Sequence, residues 1–112
     1  LDPGPDFAKA PAQTVEVLRA LDAVAALGRP LLLALSRKDF IGAVTGRPPR
    51  ERLAGTLAAV GHVLGRADTG TGLVLRVHDV AEVVDYLAVA SVLAGQRDLP
   101  RDARLADHLR RT

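Results

Sequence analysis

The chain has 112 residues, 48% of them hydrophobic, and a formal net charge of +2, a balance that supports a packed core and excludes a solvated, disordered chain. It has no cysteine, which excludes a disulfide framework, zinc ribbons and thiolate chemistry and suits a reducing compartment. No run approaches the roughly 20 apolar residues that span a bilayer, the start LDPGPDF has no signal-peptide character, and all but Lys9 and Lys38 of the 15 cations are arginines scattered among few aromatic residues. These features argue against membrane and nucleic-acid partners and leave the cytoplasm as the expected location.

Asp2-Pro3-Gly4-Pro5-Asp6-Phe7 is a rigid, turn-rich loop, with only Leu1 left of whatever preceded it. From Gln13 to Leu27 the residues Val17, Leu18, Leu21, Val24 and Ala25 fall at helical spacing, with Pro11 near the start and Gly28 at the stop. Pro30 to Leu35 is a solid apolar run that reads as a strand buried on both faces, and it breaks abruptly into Ser36, Arg37 and Lys38. Asp39 is placed to cap a short turn over Phe40 to Val44. Pro48-Pro49 starts a further helix, expected to bury Leu53, Leu57, Val60 and Leu64 and to stop at Gly65.

A second strand, Gly72 to Val77, again ends in polar residues: Arg76, His78 and Asp79. Asp79 and Glu82 have the spacing of a capping box, and Val80, Val83, Val84, Leu87 and Leu93 carry the last helix to Gly95. Residues 96–112 read as a polar tail with at most a weak surface helix, and His62 and His108 as surface residues.

Strands alternating with helices imply β-α-β units and a parallel sheet, whose ligands lie beyond the carboxyl ends of the strands. The cations after Leu35 and at Arg76 stand at those ends. Two strands and a remnant leave apolar edges unpaired, so the expectation is an α/β chain forming the last units of a longer β/α protein.

Three segments then match one family in order. DPGPDFAK (Asp2 to Lys9), LSRKDFIG (Leu35 to Gly42) and RVHDV (Arg76 to Val80) resemble the D-P-G-x-G-F-x-K loop, the S-R-K segment and the closing R-V-H-D-V of dihydropteroate synthases. The resemblance runs from Leu1 to about Gly95. It implies the C-terminal part of a (β/α)8 TIM-type barrel, from about the end of strand 6 to helix 8. It also implies the condensation of 6-hydroxymethyl-7,8-dihydropterin diphosphate with p-aminobenzoate, releasing pyrophosphate.

By resemblance, Lys38, Arg76 and His78 are the catalytic residues, and Asp2, Phe7, Ser36 and Arg37 join them in holding substrate. Asp2 would accept from the amino-pyrimidine edge of the pterin, Phe7 would line the p-aminobenzoate pocket, and Arg76 with His78 would hold the diphosphate. Mg²⁺ is implied, with its ligands outside this chain, as is a homodimer through helices Gln13 to Leu27, Pro49 to Leu64 and Val80 to Leu93.

Plainer readings stand beside these. Asp2 also fits an Asx-Pro turn, Arg37 and Lys38 a solvated strand end, and Asp79 a helix cap. Asp6, Ala34 and Asp39 depart from the family pattern. The alternatives are a pterin-binding domain of a corrinoid methyltransferase, which has no diphosphate to hold, and a non-catalytic paralogue or fragment acting as a binding or dimerisation module.

Overall fold

A computed structural model describes residues 1–4, 10–66 and 72–110. The element order is α1 (Pro11–Arg19), α2 (Leu21–Ala25), β1 (Leu31–Ala34), α3 (Asp39–Thr45), α4 (Leu53–Arg66), β2 (Leu73–Arg76) and α5 (Val80–Leu93). Three-residue 3-10 turns occupy Pro49–Glu51 and Asp107–Leu109. The second turn is the only regular element among the described residues of the tail, within the expectation of at most a weak helix there.

β1 and β2 pair in parallel, with Leu31 opposite Leu73 and Ala34 opposite Arg76. Leu1 lies along the other edge of β1: its amino group donates to the Pro30 carbonyl, and Leu32 N donates to the Leu1 carbonyl at 2.7 Å. That is the bond pattern of a parallel bridge centred on Leu31. Leu1 therefore bonds to the edge of β1 left open by the two-stranded sheet.

The strands bury one face, not two. Leu31, Leu33 and Leu35 pack with Leu18, Leu21, Ala59, Val60 and Val63 under the helices, while Leu32 and Val74 on the opposite face are exposed. A strand's side chains alternate, so one layer of helices covers only every second residue. The chain measures 49 × 35 × 17 Å, and its short dimension accommodates one sheet and one helical layer. Its accessible surface is 7850 Å², against about 5900 Å² for a self-contained monomer of this mass.

The helices differ from the periodicity in two places, and His62 is not at the surface. The single helix expected from Gln13 to Leu27 breaks at Ala20, whose φ/ψ of −96/19° separates α1 from α2. The break adjoins Leu18, whose carbonyl accepts from His62 Nε2 at 2.8 Å. That bond makes His62 a half-buried link between α4 and α1, not a surface residue. On α4 the buried stripe is Thr56, Ala59, Val60 and Val63, with Leu64 exposed, so the sheet takes the face rotated from the leucine row.

Candidate active site

The carboxyl ends of β1 and β2 are tied by their first polar residues. Ser36, 5% exposed, accepts at Oγ from the His78 backbone N–H at 3.1 Å. The next residue along each chain repeats the link: Arg37 Nη2 and Nε donate to the two Asp79 carboxylate oxygens at 2.8 and 3.3 Å. Ser36 and Arg37 thus grip His78 and Asp79 as consecutive rungs.

Arg37 has φ of 58°, the one positive value among the described non-glycine residues. That conformation costs a non-glycine residue roughly 1–2 kcal/mol and persists only where its surroundings hold it. Here both backbone groups are held. Arg37 N donates to Thr56 Oγ1 at 3.1 Å, and Arg52 Nη1 donates to the Arg37 carbonyl at 2.9 Å. Thr56 is fully buried on the sheet-facing stripe of α4, where a hydroxyl has to find a partner.

Arg52 has a side chain only 11% exposed. It also donates through Nε to the Arg47 carbonyl at 2.7 Å and through Nη1 to Asp39 Oδ1 at 3.3 Å. Its guanidinium lies against Gly42, where an added Cβ would sit 2.4 Å from Nη2. Gly42 therefore leaves the space this cation occupies.

The expectation that Asp39 caps the following turn is not met. Lys38 is the N-cap of α3, with φ/ψ of −69/155°, and Asp39 is already in the first helical turn with its carboxylate on Arg52. Extended backbone at Lys38 puts the helix start one residue earlier than the Asp signal suggested. Nor does Asp79 cap α5, although it is the N-cap residue: its side chain makes no cap bond, because the bidentate bond to Arg37 takes it. The hydrogen bond from Arg37 holds the Asp79 carboxyl below its ordinary range, and the same bond raises Arg37.

The remaining predicted residues fall as follows. Arg76 is exposed on the open face of β2, in register with the half-buried Ala34 on the neighbouring strand, about 4.8 Å away. The methyl group of Ala34 therefore stands beside Arg76. His78 is exposed two residues further on, and Lys38 is half-buried at the start of α3. Asp2 Oδ1 accepts from Gly4 N at 2.9 Å, the Asx turn of the plainer reading. Phe7 and Asp6 lie outside the described residues.

The structure thus gathers Ser36, Arg37, Lys38, Arg76, His78 and Asp79 at one rim. Sequence reasoning missed Thr56 and Arg52. A lone hydroxyl on the buried stripe of α4 was a usable signal for Thr56. Arg52 had none, since it binds two backbone carbonyls.

Basic side chains at the carboxyl ends of adjacent parallel strands place the chain in the class of α/β units that carry ligand sites beyond their strand ends. The profile of the pterin-binding enzymes matches residues 1–78, from the Asp2 loop to His78, and the chain belongs to that family. The dihydropteroate synthase of Synechocystis sp. is 43% identical over 94 residues, covering 83% of this chain and 31% of that protein. The Xanthomonas albilineans enzyme in complex with 7,8-dihydropteroate superposes with a TM-score of 0.74 at 41% identity, covering 88% of this chain and 36% of that one. The same enzyme with 4-aminobenzoic acid gives 0.75 at 42% identity, covering 88% and 34%. The chain spans about a third of the length of the curated relatives it matches.

Proposed function

We propose that the full-length protein carrying these residues is a dihydropteroate synthase of folate biosynthesis. It would join 6-hydroxymethyl-7,8-dihydropterin diphosphate to p-aminobenzoate and release pyrophosphate. The observation that carries this is the Ser36 Oγ to His78 N–H bond, which brings the S-R-K and R-V-H-D ends to one rim. The solved complexes of the related Xanthomonas enzyme with 7,8-dihydropteroate and with 4-aminobenzoic acid support it.

The reaction breaks the bond between the pterin methylene carbon and the diphosphate oxygen, and the amine nitrogen of p-aminobenzoate then bonds to that carbon and loses a proton. Charge develops on the leaving diphosphate, so fixed donors aimed at it lower the barrier. Arg76 and His78, two apart on a strand end, project to one side and hold the diphosphate. Lys38 contacts the pterin and borders the amine, Asp2 accepts from the amino-pyrimidine N–H groups, and Ser36 frames the pocket floor; by the family resemblance Phe7 would line the p-aminobenzoate pocket.

Among the described residues no group of three or more His, Cys, Asp or Glu could hold a metal ion. The Mg²⁺ that the family resemblance implies would take its ligands from the rest of the protein, and no step above passes through it.

That remainder would also supply the strands that complete a (β/α)8 barrel, with this chain as strand 6 end to helix 8 (residues 1–95) and a tail over 96–112. The one-sided sheet and the exposed Leu32 and Val74 support this. A homodimer through the C-terminal helices fits α5, which is apolar nearly all round and exposes Val80, Val84, Val89 and Leu93. No helix among the described residues is long and apolar enough to cross a membrane; cytoplasmic location accords with the pathway.

Calorimetric titration of the full-length protein tests the diphosphate assignment. Arg76→Ala is expected to weaken the pterin diphosphate by about 1.5–3 kcal/mol, the worth of a charge-assisted bond, while the pterin alcohol without diphosphate binds nearly as before. Equal losses for both ligands would remove Arg76 from the diphosphate site.

A further inference from the structure

We propose that Arg37 and Asp79 are positioning residues for this reaction: their bidentate pair sets Lys38, on one strand end, at a fixed separation from Arg76 and His78 on the other. The inference rests on the synthase reading and changes the part Arg37 plays in it, from substrate ligand to strut.

Three observations point the same way. The Arg37 fork engages both Asp79 oxygens, a geometry that orients as well as attracts and that a lysine does not reproduce. Arg37 adopts its left-handed conformation with N on Thr56 and the carbonyl on Arg52, so the turn that aims the fork is fixed at both ends. Lastly, Asp79 occupies the N-cap position of α5 with an acid suited to capping, yet no cap bond forms and the carboxylate crosses to the other motif. A residue serving only its own helix would have turned inward. With the Ser36 rung beside it, the pair makes the two strand ends one rigid unit. The reacting groups stand just outside that unit: Lys38 is the residue after Arg37, and His78 the residue before Asp79.

Steady-state kinetics and hydrogen exchange of the full-length protein test this. Asp79→Asn and Arg37→Lys are each expected to lower kcat on the order of 10- to 100-fold, the cost of misplacing reacting groups by about 1 Å. The KM for p-aminobenzoate should stay within about threefold, and the double variant should fall no further than either single one, because both break the same contact. In both variants exchange at the Arg37 and His78 amides should quicken at least about tenfold while the α4 interior stays protected. If Arg37→Lys raises the Kd of a substrate about tenfold while Asp79→Asn leaves kcat within about twofold, Arg37 is a ligand and the proposal fails. Unchanged amide exchange in both variants also overturns it, and that arm needs no turnover. A wild-type protein without turnover would instead count against the synthase reading, leaving the exchange result to decide the strut.

Discussion

Removing the Arg52 guanidinium should destabilise the protein far more than its position in an exposed arginine-rich stretch suggests. In Arg52→Met the stem is kept and three bonds are lost. The bond to Asp39 adds little, because that carboxylate is 80% exposed and such pairs give less than about 1 kcal/mol. The Arg47 carbonyl is exposed and returns to water. The Arg37 carbonyl is part-buried, and losing a charged donor there costs roughly 1.5–3 kcal/mol. It also frees one of the two anchors that hold Arg37 in a conformation disfavoured by about 1–2 kcal/mol. A total loss of about 2–4 kcal/mol is expected, several degrees in Tm. Arg47→Met is the control: Arg47, 62% exposed and paired with Glu51 four residues on, should change stability by under about 0.5 kcal/mol. Thermal and urea unfolding of the full-length variants measure both. An Arg52→Met protein as stable as the Arg47→Met control would refute the view that this cation holds the S-R-K turn.

Gly55→Ala adds a good helix former within α4, yet its Cβ would lie 2.2 Å from Ile41 Cγ2 on α3, and Ile41 is 3% exposed. Overpacking of about 1–3 kcal/mol should outweigh the roughly 1 kcal/mol of propensity gained, and a raised Tm would disprove the close crossing. Asp39→Ser should leave the KM for p-aminobenzoate within about threefold, under 1 kcal/mol, since the carboxylate is turned to Arg52; a tenfold improvement would place it in the pocket. Because the hydrogen bond from Arg37 lowers the folded pKa of Asp79, the pair stabilises fully above the unfolded carboxylate value near 3.8 and loses its effect as pH falls through the lower folded one. The Tm gap between wild type and Asp79→Asn should be constant from pH 7 to 5 and narrow as pH falls below the unfolded carboxylate value; a gap that widens on acidification would contradict this.

The strands, their parallel pairing and the polar ends were legible in the sequence because an apolar run that stops at a cation marks both a core and its rim. Burial of both strand faces was not met, since the second face of a strand needs a layer that these residues do not supply. The side chains at the rim were harder to place. Asp79 and Asp39 each carried a local capping signal, and each was overridden by an arginine distant in sequence, at 37 and 52. A local pattern reports the neighbouring helix turn; it holds no information about a cation delivered by another element. On α4 the buried face runs through Thr56, Ala59, Val60 and Val63, so only Val60 of the expected row is fully buried.

Turnover of the full-length protein, followed as pyrophosphate release with pterin diphosphate, p-aminobenzoate and Mg²⁺, tests the strand-end site most directly. The account predicts pyrophosphate and dihydropteroate in equal amounts, with the rate falling by at least about 100-fold in Lys38→Met and in the Arg76→Ala, His78→Ala double variant. No turnover by the wild type, or full turnover by either variant, would contradict it.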